Sequence, residues 1–400
     1  MSKKIFMVVL ILLTLKLNAQ EEQTKSYLNS AEILLKTDGK LKIGGYAEIH
    51  LNQVLDSDLH HNTDLDVHRM VMLVGYQFSN KTQFISEIEY EHISEVFIEQ
   101  AFIQHKLNTY INFRAGLLLV PMGIINEYHE PTTFNGVERP TIDKYLSPST
   151  WREIGLGFSG TILPASLKYQ VYVINGVKSF DDEAYMNGKD GFRPGRQKGA
   201  KSIMSSPNFS SKIEYFGLRG LNIGVSTYLG KTQTSLYDGL NRNDESMISM
   251  ADSSVVALSM IGLDARYSIE GWQFRGQFYY TSVSNSDEYN EFTRSDAASL
   301  NDLGSAMSGY YVEAAYNILS LTNKSIKELY PFVRYEKMDM HHSVANNISK
   351  NDAYNKTSFT TGLSYKLEKS VVLKADMQFV KSAADADFSK ICNLGFGVMF

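Results

Sequence analysis

A chain of 400 residues has room for two or three soluble domains or for one large all-β body. Its 39 Lys and Arg against 44 Asp and Glu leave a net charge of −5, which excludes a polyanion-binding or strongly acidic protein, and no nucleic-acid partner is expected. Aromatic residues reach 12%, with 24 Tyr and 21 Phe, while prolines number only eight, a profile that favours long uninterrupted strands over helices.

At the N-terminus, Lys3 and Lys4 precede the apolar run IFMVVLILLTL, and Leu17-Asn18-Ala19 offers a cleavage site. Residues 1–19 therefore read as a secretory signal peptide, because the run is well short of the roughly 20 residues that span a bilayer. No cysteine follows it, so a lipoprotein anchor is not expected. The single cysteine, Cys392, leaves the exported chain without an internal disulfide. Residues 20–40 are polar around one apolar cluster and form a lead, either loose or as a short helix.

From residue 41 onward the pattern has period two. Sixteen strands are predicted: 41–54, 66–78, 81–92, 95–106, 110–120, 152–162, 166–176, 210–217, 221–229, 254–268, 271–283, 307–318, 328–338, 357–367, 370–380 and 390–400. Short turns such as Ser79-Asn80-Lys81, Leu107-Asn108-Thr109 and Leu218-Arg219-Gly220 follow even-numbered strands. Long polar connections follow most odd-numbered ones. The connection around Ile93-Ser94 is shorter than this rule expects, and the turn after the twelfth strand is longer.

Within strands, one parity is greasy and the other charged or small. YINFRAGLLLV sets Ile111, Phe113 and Leu117 against Asn112, Arg114 and Gly116, and VVLKADMQF sets Leu373 and Phe379 against Lys374 and Asp376. Alternation alone does not separate a soluble sandwich from a barrel in lipid. Export and the sorting of loop lengths by parity do, because a sandwich has no reason for the latter. The expected fold is all-β: a transmembrane antiparallel β-barrel of about 16 strands over residues 41–400, with residues 20–40 as a periplasmic lead. Tyr76, Tyr90, Tyr110, Tyr169, Tyr215 and Tyr335, near strand ends, suit an aromatic girdle.

The chain ends NLGFGVMF. An unpaired greasy strand invites aggregation, unless it closes against the first strand and lipid covers its outer face. Asn393, Gly395, Val398 and Phe400 resemble the C-terminal signal of outer-membrane barrels, which implies the barrel-assembly machinery as a partner.

After the fifth strand comes RAGLLLVPMGIINEYHEPTTFNGVERPTIDKYLSPSTWREIG, where Pro121 ends the ladder and about 30 residues pass before alternation resumes. Counted outward, this is the third outer loop, and it is expected to fold into the lumen. Gly116 to Pro121, then Met122 and Gly123, is similar to the Gly-x-x-x-x-Pro-aromatic-Gly element of the phosphate-selective porin O/P-type family, with Met122 in place of the usual aromatic. That resemblance implies passive diffusion of small, often anionic solutes through a 16-stranded barrel whose best-known members carry a ladder of arginines.

Parity places Arg114, Lys168, Lys212, Arg266, Arg275, Arg334, Lys366 and Lys374 in the lumen. It also places there Glu87, Glu89, Glu91, Glu95, Glu99, Glu214, Asp264, Glu313, Glu336 and Asp376. Acids and bases balance, so no arginine ladder is expected and ion selectivity should be weak. These charges either line a pore or pair to stabilise the wall. With the loop folded inward, Glu127, Glu130, Glu138 and Arg139 are the expected constriction; the alternative is an outer lid paired only with itself. The KDGFRPGRQKGAK loop offers Lys189, Arg193, Arg196, Lys198 and Lys201 to anions or lipopolysaccharide phosphates, or simply to solvent.

No metal site and no cofactor are expected. Asp56, Asp58 and Asp64 lack the glycine and terminal glutamate of a calcium loop, and His341-His342 lacks matching ligands. No catalytic residues are expected either, since no GxSxG element is present and the histidines lie mostly in loops or strand ends. The expected function is an outer-membrane porin of a Gram-negative bacterium, passing small hydrophilic solutes or ions with weak selectivity. Its partners would be the lipid bilayer and lipopolysaccharide, with a homotrimer by analogy. The alternative is a non-conducting barrel with a structural or adhesive role, plugged by the third loop.

Overall fold

The computed structural model describes residues 27–55, 58–294, 300–322 and 327–400. The expected signal peptide and Asp56 lie outside these residues. Among the described residues, sixteen strands close an antiparallel barrel. In chain order they are β1 Leu41–Leu55, β2 Asp64–Gln77, β3 Thr82–Glu91, β4 Glu95–Lys106, β5 Asn112–Leu119, β6 Arg152–Ile162, β7 Leu167–Ile174 and β8 Asn208–Leu218. They continue as β9 Leu221–Lys231, β10 Ala257–Ile269, β11 Trp272–Ser284, β12 Ala306–Tyr316, β13 Glu328–Ser343, β14 Asn355–Glu368, β15 Val371–Ser382 and β16 Ser389–Met399. Every strand expected from the alternation is present, with boundaries moved by a few residues.

Each strand pairs with its sequence neighbours, and β16 closes on β1 from Tyr46 opposite Met399 to Leu55 opposite Lys390. Gly45 and Phe400 exchange both backbone hydrogen bonds, each 2.9 Å. Closure leaves no strand edge, which is the condition for a sheet to sit in hydrocarbon.

The outer surface carries the greasy parity: Ile103, Leu156, Val312, Leu363, Leu373 and Leu394 are all exposed. The inner parity carries Glu87, Lys212, Arg334, Glu336 and Asn393, all buried. This is the inverse of a soluble barrel and needs a nonpolar medium outside. Trp272 stacks on Phe274 with ring centres 5.5 Å apart and meets Tyr316 at 4.8 Å beside the short turn at Glu270-Gly271. Tyr76, Tyr110, Tyr169 and Tyr215 stand near other short turns, so aromatics ring that end of the barrel.

The two ends differ. The short-turn end admits helix α1, Ser30–Lys36, whose N-cap Asn29 accepts from the Glu32 N–H while Glu32 reaches back to the Asn29 N–H. Ala31 and Leu34 are buried, and Leu34 packs where Gly44 and Gly75 leave the wall without side chains. At the long-loop end, Lys178–Asp181, Glu183–Ala184 and Gln233–Thr234 form a small separate sheet.

Candidate functional site

The third outer connection, residues 120–151, lies inside the barrel. It carries helix α2, Ile142–Tyr145, and a run from Val120 to Pro131 that is buried throughout. Its contacts reach nearly the whole circumference. The Ile124 N–H donates to Gln277 of β11 at 2.5 Å, and the Asn135 side chain donates to Glu313 of β12 at 2.9 Å. The Val137 N–H donates to Asp376 of β15 at 2.7 Å, and the Thr141 N–H to Glu336 of β13 at 2.5 Å. Across the closing seam, Asn52 of β1 donates to Glu138 at 3.0 Å.

The sequence allows this crossing because β16 presents glycines inward. A side chain on Gly397 would collide with Pro131, and one on Gly395 would crowd Val137. Gly123 has φ +64, and a side chain there would overlap Tyr279 of β11, so the loop meets that wall backbone-first.

Most of the lumen charges are paired. Lys212 meets Glu127 at 2.9 Å and Asp264 at 3.7 Å; Arg266 meets Glu214 at 2.7 Å. Lys168 bonds Glu32 of α1 at 2.8 Å and lies 3.8 Å from Glu214. Arg334 meets Glu336 at 2.8 Å and Glu313 at 3.6 Å; Arg275 meets Glu313 at 3.4 Å. Lys374 donates to the Gly136 carbonyl at 2.8 Å and stands over the Phe134 ring. Arg114 donates to Gln104 and to the Tyr172 hydroxyl. Buried ions survive only when paired, and here most partners come from neighbouring wall strands, with Glu127 and the Gly136 carbonyl added by the loop and Glu32 by α1.

At β1 to β4, Arg69 pairs with Glu48 and lies 3.8 Å from Glu89. His129 of the loop sits 3.3 Å from Glu99 and 3.6 Å from Glu87. Tyr46 donates to the same two carboxylates, at 3.2 and 2.8 Å. Burial alone would push the His129 imidazolium down, but Glu99 and Glu87 outweigh it and lift its pKa to about 10.

The four expected constriction residues separate into two pairs. Glu127 and Glu130 are buried: Glu127 is engaged by Lys212 and Gln170, and Glu130 accepts from the Ser30 N–H of α1 at 2.6 Å. Glu138 and Arg139 instead line a cavity of about 700 Å³ toward the long-loop end. Burial works to raise the Glu138 pKa, but hydrogen bonds and charge from His50 win and hold it at about 2. One wall of the cavity carries Glu48, Glu89 and Glu91, and another carries Arg152, Arg193 and Arg196.

The basic loop thus turns partly inward. Arg196 Nη1 donates to the Pro148 and Ser149 carbonyls at 3.0 Å each, and Arg193 donates to the Lys144 carbonyl at 2.7 Å. Lys189 and Lys201 of the same loop face solvent. His341 is fixed by the Asp302 carbonyl and the Asn351 N–H, at 2.7 and 3.0 Å. Among the residues of the expected C-terminal signal, Asn393 joins Asn52 and Asp376 at 2.8 Å each, whereas Phe400 is exposed.

Sequence reasoning missed Glu48, His50, His68 and Arg69. The β1–β2 register shifts between Glu48, opposite Arg69, and His50, opposite Asp66, so β2 carries an extra residue. The bulge reverses parity beyond it, which hides His68, whereas Glu48, His50 and Arg69 keep the regular inward parity of their strands and were legible from alternation.

No family model matches the chain. A protein of Aquifex aeolicus (strain VF5) described as uncharacterized is 30% identical over 347 residues, covering 84% of this chain and 74% of the relative. Among solved structures, Salmonella typhi OmpF in complex with daunomycin superposes with a TM-score of 0.57 at 12% identity, over 90% of this chain and 97% of that one. OmpT of Vibrio cholerae, an outer-membrane protein folded in vitro, gives 0.55 at 11% identity over 92% and 99%. An anion-selective porin from Comamonas acidovorans gives 0.54 at 12% identity over 90% and 99%. At these identities the likeness is one of fold: the closed sixteen-stranded barrel of outer-membrane porins.

Proposed function

Because this chain, which belongs to the same family as the Aquifex aeolicus protein, has the barrel fold of outer-membrane porins, we propose that it is itself an outer-membrane porin. It passes small hydrophilic solutes or ions passively, with weak charge selectivity. It reaches the outer membrane of a Gram-negative bacterium by way of the signal peptide and the barrel-assembly machinery. The long loops then face outward toward lipopolysaccharide and the short turns face the periplasm. A homotrimer is the proposed assembly.

The observation that carries this reading is the cavity of about 700 Å³ at the long-loop end, with acids on one wall and arginines on another. Opposed charge sets a transverse field that orients dipolar solutes without a strong preference for either sign of ion. Resemblance to the phosphate-selective O/P-type family supports the same transport class. Phosphate specificity is not proposed, because the lumen cations are matched by carboxylates rather than stacked as a ladder.

Glu138 and Arg139 are the proposed constriction. The test is single-channel recording in planar bilayers with a salt gradient. A steady open channel whose reversal potential stays near zero supports the reading. Replacing Glu138 or Arg139 by Ala should change the conductance, and unchanged values for both would place the narrowing elsewhere.

A second reading, a plugged barrel with a structural or adhesive role, is favoured by the burial of residues 120–131 above α1. It predicts no steady channel in the same recordings.

A further inference from the structure

We propose that Asp66, His68 and His92 form a binding site for a divalent transition-metal ion of the zinc class at the long-loop mouth of the barrel. Asp66 Oδ2 lies 3.3 Å from His68 Nδ1 and 2.7 Å from His92 Nδ1. One ligand atom from each residue lies within 4.8 Å of the others. Ligands about 2.0–2.2 Å from a tetrahedral ion stand on the order of 3–3.5 Å apart, so small side-chain adjustments complete the set. Two imidazoles and a carboxylate suit zinc, copper or nickel better than calcium or magnesium.

The fold brings these groups together by two local departures from regular structure. The bulge in β2 sets Asp66 and His68 on the lumen side of the shifted register. The tight turn after β3 puts His92 at φ 52 and Ile93 at φ 64, a left-handed conformation unfavourable for both residues, which swings His92 back over Asp66.

The surroundings carry charge of both signs, since Arg69 and Arg139 line the same cavity as the acids. His68 and His92 line the cavity, leaving a position for water or an arriving ion. His50 stacks on His68 with ring centres 4.5 Å apart, which fixes the ring plane. His50 is held in turn by Glu48 and Glu138, each at 3.4 Å. Glu89 and Glu91 make this wall the acidic one.

A second cluster with the same ligand types, Glu87, Glu99 and His129, is fully buried. Its carboxylates already accept from Tyr46, Gln100 and Thr150, so it pins the loop rather than offering a vacancy. Asp58 and Asp64, the described carboxylates of the neighbouring acidic loop, belong to neither cluster. The mouth site depends on the geometry of β2 and β3 and not on whether the barrel conducts.

The test titrates Zn²⁺ alone into full-length protein folded in detergent or nanodiscs, read by isothermal calorimetry near pH 7. Co²⁺ absorption spectra would report the coordination sphere. We expect one saturable site. H68A/H92A should weaken it by ~100-fold or more, since even supporting residues around a metal are worth about 10–100-fold. Asp66→Asn, which keeps the carboxylate's shape, should also weaken it, and H60A/H61A in the adjacent loop should leave it intact. Heat-modifiable migration on gels would verify that each variant is folded. Absence of saturable binding in the wild type, or equal binding in folded H68A/H92A, would overturn the proposal and leave Asp66 as a tie between two histidines. A barrel that binds zinc but never conducts would sink the porin reading and keep this one.

Discussion

His129 and Asp143 show how single side chains hold the lumen loop. His129 is positive because Glu99 and Glu87 face it, and its pKa is lifted to about 10. A histidine raised in the folded state adds stability below its unfolded value near 6.5, and that stability is lost as pH climbs toward 10. Asp143 moves upward as well. Burial raises it to about 7, against hydrogen bonds from Gln277 at 2.6 Å and Tyr279 at 3.1 Å that favour the ionised form. The folded state then keeps a proton that the unfolded chain releases above about pH 4. Stability falls between about 4 and 7, by ~4 kcal/mol at most for a shift of roughly three units. Both effects loosen the loop as pH rises. Urea unfolding in micelles from pH 4 to 10 should show a falling midpoint. Asp143→Asn should flatten the lower part of the curve and His129→Gln the upper part. His129→Ala at pH 7 should cost ~3 kcal/mol or more, because it strands two buried carboxylates. A variant as stable as the wild type would remove His129 from this role.

Among the elements, β16 meets two demands at once. Its outward Leu394 and its terminal Phe400 face the nonpolar medium, while Gly395 and Gly397 yield space to Val137 and Pro131 of the loop. Gly397→Leu should therefore displace the loop without disturbing closure. The expected cost is ~1–3 kcal/mol in unfolding, together with a changed conductance. If conductance and stability both stay at wild-type values, the loop does not rest on this strand. Removing Phe400 deletes both hydrogen bonds to Gly45 and the last residue of the proposed assembly signal. Fractionation of cells expressing that variant should show less heat-modifiable barrel in the outer membrane, and an equal amount would argue against the signal.

For the whole molecule, the lumen is a composite of wall, loop and N-terminal helix. Arg266 lies between the rings of Tyr27 and Tyr128, 4.1 and 4.2 Å from their centres, so lead and loop share one wall residue. Glu130 of the loop accepts from the first turn of α1, and Lys168 reaches Glu32 of the helix. Deleting residues 20–40 while retaining the proposed signal peptide, residues 1–19, should raise single-channel conductance, since it empties the short-turn mouth. An unchanged conductance would mean that the helix does not limit the path.

The period-two pattern, the sorting of loop lengths and the greasy last strand determined the sixteen strands, their order and which parity meets water. Those properties are local: a strand's facing follows from alternation, and a barrel's closure follows from the need to pair every edge in hydrocarbon. The length and aromatic content of the third loop marked it as packed structure, but its turn into the lumen was expected only from its place as the third outer loop. What only the tertiary structure decided is where opposite charges meet. Glu127 and Glu130 became supports and Glu138 and Arg139 the cavity wall because partners more than 80 residues away along the chain, Lys212 and Ser30 among them, claimed the first pair. A one-residue bulge in β2 brought Asp66 and His68 to His92, and a shift of register leaves no trace in a pattern whose information is parity alone.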